Sequence, residues 1–475
     1  MKKLNDFFGT FPVEEPMEQF DVIVIGSGGG TKIALPAAQR GLKTALIERD
    51  AFGGTCLNRG CIPSKMLIYP ADMIYAIRNA RRVNVYADQQ IDGDFSALVQ
   101  RVTKTVSQMS EHFADKVRQL DHLDYINGSG HFVADKVVEV NGRQLTAPTI
   151  FIATGARPSI PEIPGLADTP YMTSTEALRC ESLPKRMVII GASYIACELG
   201  HVYEAFGTET HFLVRSALLR QEDDDIRTAF ADDFRQRHTL HMGFEPVEVR
   251  WEDELFCIRL RHNEKGTEKE LYAEALLVST GVDPVTDDLG LEHTAITCND
   301  KGFIEVDDHL QTAVPGVYAL GDCVGNYLFR HSVNFEGEYL MRTLFEAPSD
   351  EPIVYGAVPR AVFTVPEMAA VGAGEKQLQQ QGVDYVVGRA DYADSNMGMA
   401  RMLENGFAKL LFDRNSRRLL GAHIIGEEAS DLIHMLILGL QQQVTVEDLL
   451  QMIYIHPALP ELIRDAVRDA RDQLS

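Results

Sequence analysis

Short, almost wholly apolar runs that stop at glycine recur along the chain, the pattern of strands buried on both faces of a parallel sheet. The first, Phe20-Asp-Val-Ile-Val-Ile25, ends at Gly26-Ser-Gly28-Gly-Gly30-Thr31. A helical pattern then runs to about Arg40, and a second strand, Thr44-Ala-Leu-Ile47, closes on Glu48. The same order returns at Arg186-Met-Val-Ile-Ile190, Gly191-Ala-Ser193, a helix to about Phe206 and the strand Thr210–Val214. In such a unit a pyrophosphate sits on backbone N–H groups at a helix N-terminus, so the spacing predicts two dinucleotide sites. Helical periodicity is expected over Met66–Arg82 and Asp94–Asp121, and similar strand exits at Ala153-Thr154-Gly155 and Ser279-Thr280-Gly281. Pro158, Pro161, Pro164 and Gly165 mark a linker. From about Tyr355 the pattern changes to strands, including Ala408–Phe412 and Leu419–Ile425, followed by a helix over Ala429–Gln441.

Both glycine turns depart from the usual fingerprint. Thr31 stands where a third glycine normally permits close helix–strand packing, and Pro36 removes a hydrogen bond inside the helix. Ser193 replaces the glycine that gives the pyrophosphate room, although its hydroxyl can donate to a phosphate. Glu48 is placed to take ribose hydroxyls, but the second unit has Arg215 there, with Arg220 behind it. An acid would accept the 2′-hydroxyl of NAD, whereas a guanidinium pairs with the 2′-phosphate of NADP. The reading favours NADP over NAD, with the acidic run Glu222-Asp-Asp-Asp225 close behind as a competing feature.

The chemistry concentrates in Gly53-Gly-Thr-Cys56-Leu-Asn-Arg-Gly-Cys61-Ile-Pro-Ser-Lys65. A four-residue separation lets the two sulfurs meet in a small loop. Pro63 suits a first helical turn, which puts Cys61 at a helix N-terminus where the dipole favours a thiolate. Lys65 adds a cation one turn on. Together these features describe a pair that opens and closes, rather than a static disulfide. Near the other end stands His456-Pro457-Ala-Leu-Pro-Glu461. Glu461 is placed to turn back on the imidazole, and thiol exchange needs such a base.

Composition narrows the setting. A chain of 475 residues suggests about three domains. A net charge of −24 argues against nucleic-acid binding and against docking on anionic membranes. Seven cysteines do not make a secreted framework, and Cys180, Cys197, Cys257, Cys298 and Cys323 read as core or strand-end thiols. No apolar run approaches the ~20 residues of a membrane span. Met1–Gln19 lacks the apolar core of a signal peptide and reads as an N-terminal arm, so a cytoplasmic location is expected. No metal site is expected, and His331 reads as a satisfied, partly buried histidine.

The cysteine loop, both glycine turns, Gly321-Asp322 and His456–Glu461 occur in an order that resembles the flavin-dependent pyridine nucleotide–disulfide oxidoreductases, from Phe20 to the C-terminal region. The resemblance implies FAD and NAD or NADP as cofactors. It implies a hydride path from the nicotinamide through the flavin to a Cys56–Cys61 disulfide. Cys61 would be the thiolate facing the flavin, and Cys56 the sulfur that exchanges with substrate. Lys65 and Glu198 match an ion pair beside the flavin's reactive nitrogen, Tyr194 a ring over the nicotinamide pocket, and Asp322 a contact to the ribityl–pyrophosphate part of FAD. His456 and Glu461 match a base that reaches from one subunit into the other's disulfide site, which implies a homodimer.

The cofactor contacts expected are Gly26, Gly28, Gly30, Glu48, Gly54, Thr55, Lys65, Thr154, Gly155, Gly191, Ser193, Tyr194, Arg215, Gly281 and Asp322. The implied fold class is α/β: two Rossmann-like dinucleotide-binding domains plus a C-terminal α+β dimerisation domain. Its divisions are an arm over 1–19, FAD-binding segments over 20–160 and 286–355, a nucleotide domain over 161–285 and an interface domain over 356–475. The loop favours the dihydrolipoamide dehydrogenase branch, acting on a small dithiol or a lipoyl-bearing protein. Arg215 and the His-Pro-Ala-Leu-Pro-Glu form favour an NADPH-dependent reductase of a small disulfide, similar to mycothione reductase. A flavin-binding redox sensor is the remaining alternative.

Overall fold

The computed structural model describes residues 17–86 and 93–474; of the arm expected over 1–19, residues 1–16 lie outside them. Two compact units form, each from three segments. The first gathers Met1–Asn58, Met109–Arg157 and Asp283–Ile353, and the second Arg59–Gln108, Pro158–Val282 and Val354–Ser475. Among the described residues no helix is long and apolar enough to cross a membrane.

The first unit is built on a parallel sheet in the order Val317–Ala319, Thr149–Ile152, Val22–Ile25, Thr44–Glu48, Leu123–Asn127. Alternation along each strand feeds two cores. Val22, Val24, Leu46 and Phe151 face helix residues Ile33, Ala34 and Ala37, while Ile23, Ile25, Ile47 and Ile152 pack on the opposite side. Val22–Ile25 lies between a strand that follows it and one far downstream, so the crevice beyond its C-terminal end is a topological switch point, where such sheets bind ligands. Glu18–Gln19, the end of the stretch read as an arm, instead forms a strand against Arg143–Thr146, and Glu18 pairs with Arg143 at 2.7 Å.

In the second unit Arg186–Ile190 is likewise flanked by parallel strands, Glu209–Val214 and Ala275–Val278, and helix Tyr194–Ala205 follows its glycine turn. A meander of Phe244–Glu252, Leu255–His262 and Glu268–Ala273 packs its apolar face on this sheet. A five-stranded antiparallel sheet, Arg360–Val362, Glu367–Gly372, Leu419–Gly426, Phe407–Asp413 and Tyr385–Asp391, carries helices Ala429–Gln441 and Glu461–Leu474. The helix expected over Ala429–Gln441 lies there, and the one expected to run to about Phe206 ends at Ala205. The mixed α/β architecture is as expected.

Candidate active site

At the first glycine turn the backbone passes too close to its neighbours for side chains. Gly26 has φ +104°, and a Cβ there would stand 2.3 Å from the Ala153 carbonyl oxygen. A Cβ on Gly30 would stand 2.2 Å from the Gly26 oxygen and 2.4 Å from Val24 Cγ1. Close helix–strand packing is therefore met by Gly30. Thr31, in the third-glycine position, is accommodated with its hydroxyl donating to the Gly28 carbonyl at 2.9 Å. Gly54, with φ +67°, brings the cysteine-loop entrance against the same turn, where its Cβ would lie 2.7 Å from Gly28 Cα. Thr55 follows in helix Gly54–Arg59.

Glu48 holds this turn together. Its carboxylate accepts the Ser27 N–H at 2.9 Å, the Ser27 hydroxyl at 2.6 Å and the Asp50 N–H at 2.9 Å. Ser27 Oγ in turn accepts the Gly53 N–H at 2.8 Å. A carboxylate has about four lone-pair sites, so roughly one remains for a ribose hydroxyl. Thr154 donates to the Val285 carbonyl at 2.7 Å, and Gly155 accepts the Val285 N–H at 2.9 Å, which fixes the neighbouring strand exit. The buried Glu336 carboxylate accepts the Gly321 N–H at 2.6 Å and so sets the turn that carries Asp322. Burial pushes the Asp322 carboxyl up to about 6, against the pull of Arg330. A cradle of glycines at a helix N-terminus, a ribose-ready carboxylate and a half-buried carboxyl with no ion pair among the described residues suit a dinucleotide such as FAD.

The second turn repeats the design. Gly191 has φ +143°, and a Cβ there would stand 2.1 Å from the Ser279 oxygen. Ser193 caps helix Tyr194–Ala205 through its backbone alone, so its hydroxyl is not spent on the cap. Gly281 has φ +134° with nothing within 4 Å of a Cβ, so space there is open. The Tyr194 hydroxyl donates to Glu222, whose carboxylate also takes Arg360 Nε at 2.9 Å on both oxygens. Burial first, then Glu222, drives the Tyr194 phenol far above its ordinary range.

Arg215 and Arg220 are exposed and make no ion pair among the described residues. The competing acids are all engaged elsewhere. Glu222 binds Arg360, Asp223 and Asp225 bind Lys409 at 2.7 and 2.6 Å, and Asp224 binds Arg227 at 2.8 Å. Asp223, Asp225 and Glu375 converge closely enough to hold a cation, and the buried Lys409 ammonium is that cation.

Cys56 lies half-buried in helix Gly54–Arg59, and Cys61 opens helix Cys61–Arg78, exposed, with Pro63 in its first turn. The helix N-terminus is where the sequence placed it. Lys65, however, is not simply a cation for the thiolate. Its Nζ pairs with Glu198 Oε2 at 2.7 Å and lies 4.3 Å from the centre of the Phe363 ring. Burial raises the Glu198 carboxyl, and Lys65 together with the Phe363 N–H opposes that rise.

His456 Nδ1 sits 3.0 and 3.1 Å from the two Glu461 oxygens. The imidazole is 66% exposed and the carboxylate only 3%, so Glu461 is an anchored orienter and Nε2 is left for chemistry. His456 first, then the Ala458 N–H and Arg464, holds Glu461 below the usual carboxylate range. The expected histidine at position 331 differs from its reading: it is exposed and stacks on Phe329 at 5.1 Å.

Residues 20–339 match the family described as pyridine nucleotide-disulphide oxidoreductase, and residues 358–467 match its dimerisation domain. The chain belongs to this family. Dihydrolipoyl dehydrogenase 2 of Haloarcula marismortui is 33% identical over 95% of this chain and 97% of its own. Mercuric reductase of Staphylococcus aureus is 32% identical over 90% of this chain and 78% of its own. The HOCl-induced flavoprotein disulfide reductase RclA from Escherichia coli superposes with a TM-score of 0.84 at 25% identity, over 96% of this chain and all of that one. The protein is thus a flavin-dependent disulfide oxidoreductase that uses FAD and a nicotinamide nucleotide and carries the family's dimerisation domain.

Sequence reasoning missed Ser27, Phe363, Arg360 and Arg464. Each acts on a site residue through a contact that no local motif announces, although Arg464 stands one helical turn from Glu461.

Proposed function

We propose that the chain is a disulfide oxidoreductase of the dihydrolipoyl dehydrogenase type, acting on a small dithiol or a lipoyl group carried by a protein. The observation that carries this reading is the oriented His456–Glu461 pair in a chain whose Cys61 opens a helix. FAD, when bound, supplies two-electron chemistry between the nicotinamide and the cysteine couple. A substrate thiolate attacks Cys56 Sγ of the Cys56–Cys61 disulfide and displaces the Cys61 thiolate. The second substrate thiolate then attacks the substrate sulfur of the mixed disulfide and releases the Cys56 thiolate. His456 Nε2 accepts the proton of the attacking thiol, with Glu461 stabilising the charged imidazole. The helix N-terminus holds the Cys61 thiolate, and the pair of half-exposed Lys65 with buried Glu198 is assigned to the flavin's reactive nitrogen.

In the same reading, segments 20–160 and 286–355 hold FAD, 161–285 holds the nicotinamide nucleotide and 356–475 forms the interface. A homodimer then brings His456 to its partner's cysteines. A cytoplasmic setting suits a chain whose cysteines work as an exchanging couple.

A second reading, NADPH-dependent reduction of a small disulfide, is favoured by one observation. Arg215 and Arg220 carry no ion pair among the described residues, while the acids of the run Glu222–Asp225 are each paired elsewhere. The deciding experiment is a steady-state matrix of lipoamide, glutathione and related disulfides against NADH and NADPH, run in both directions, for the parent and Arg215→Glu. Fastest turnover of dihydrolipoamide with NAD⁺ supports the first reading. Fastest NADPH oxidation with another disulfide, with Arg215→Glu raising the NADPH KM far more than the NADH KM, supports the second. No turnover in any arm despite bound FAD removes both and leaves a redox sensor.

A further inference from the structure

We propose that Arg330 is a further cofactor-anchoring residue, whose guanidinium pairs with the pyrophosphate of the dinucleotide held at the first glycine turn. The inference rests on the FAD reading of that turn. Arg330 is the first residue of helix Arg330–Met341, where a side chain points back past the helix N-terminus. A Cβ built on Gly28 would stand 3.9 Å from Arg330 Nη1 and 3.6 Å from Gly54 Cα. Both are ordinary contact distances, so this guanidinium lies directly beside Gly28, the fingerprint glycine whose missing side chain makes room for a pyrophosphate.

The placement is held from behind. Val333, one turn along the same helix, packs so close to the turn that a Cβ on Gly29 would lie 2.3 Å from its Cγ1. Two helix N-termini accompany the turn, those of Thr31–Gln39 and Arg330–Met341. Neither has an acidic residue in its first turn or a side-chain cap. Each contributes about half a positive charge to which Arg330 adds a full one, a field suited to a doubly negative group.

Arg330 itself lacks a partner for that charge. It is half-buried and makes no ion pair or side-chain hydrogen bond among the described residues. Asp322 is influenced by it but is not paired with it, since no ion pair joins them within 4.0 Å. Its five donors meet no side-chain acceptor among the described residues, which leaves them available to a ligand. A pyrophosphate can accept from them bidentately.

The test uses the full-length apoprotein, stripped of flavin, and titrates FAD, ADP-ribose and riboflavin by fluorescence and calorimetry for the parent, Arg330→Met and Arg330→Lys. Arg330→Met is expected to weaken FAD and ADP-ribose by the same factor, roughly 10- to 100-fold, and to leave riboflavin binding and the circular dichroism spectrum unchanged. Arg330→Lys should fall between the two, because it keeps the charge and loses the fork. Unchanged FAD affinity in Arg330→Met would overturn the proposal. So would a loss confined to FAD and riboflavin with ADP-ribose unaffected, which would turn the residue toward the flavin ring. A parent apoprotein that binds no FAD would instead remove the reading of the turn itself.

Discussion

Asp322 shows what one carboxyl contributes when the fold withdraws water from it. Its pKa stands at about 6, above the ordinary range, so the folded chain holds this proton more tightly than the unfolded chain does. The sign follows from linkage: between about pH 4 and pH 6 the folded state loses stability as pH rises through this group. Asp322→Asn, neutral throughout, should therefore gain about 2–3 kcal/mol relative to the parent apoprotein between pH 4 and pH 7. Urea midpoints at the two pH values measure it, and a difference independent of pH would contradict the account. At this scale the sequence was legible in placement wherever residue type and spacing act locally: Cys61 opens its helix, Glu461 turns back on His456, Gly26 meets the neighbouring backbone and Glu48 reaches the first turn. It was silent where a side chain acts across the fold. Arg330 lies beside Gly28 at a separation of some three hundred positions, and Phe363 meets Glu198 through a backbone N–H that any residue would supply.

Among the elements, the first glycine turn corrects the fingerprint most usefully. The spacing assigns close helix–strand packing to position 31, yet the contact is made one residue earlier, by Gly30. Gly30 has an ordinary φ of −59°, so the demand there is for space rather than for a left-handed backbone. Gly30→Ala should destabilise the protein by about 3 kcal/mol and lower flavin retention, because a Cβ would meet a backbone oxygen that cannot yield. Thr31→Ala, which loses one hydroxyl bond, should cost only about 1 kcal/mol. Urea midpoints and flavin content after gel filtration check both, and equal losses would return the packing role to position 31. Helices and buried parallel strands were readable because apolar periodicity is strong in them. The meander over residues 244–273 was not read, because its outer face alternates Glu, Arg and Lys and blurs the signal. The strand Glu18–Gln19 is two polar residues long, too short for any pattern.

For the whole molecule, the sequence repeated one structural idea twice, and each repeat became a parallel sheet with a glycine turn at its switch point. The chain also interleaves its segments, so that each compact unit draws on three separate stretches; the resemblance implied a return at 286–355, whereas no local pattern marked Arg59–Gln108 as part of the second unit. What unites the parts functionally is the claim that electrons pass between a nicotinamide, a flavin and the sulfurs of Cys56 and Cys61. An anaerobic titration of the FAD-loaded protein with NADPH or dithionite, followed by absorbance, tests it most directly. The parent should take up about four electrons per flavin, two in the sulfur couple and two in the ring, while Cys56→Ser and Cys61→Ser should each take up about two. A parent protein that is fully reduced by about two electrons per flavin, like its cysteine variants, would contradict the account.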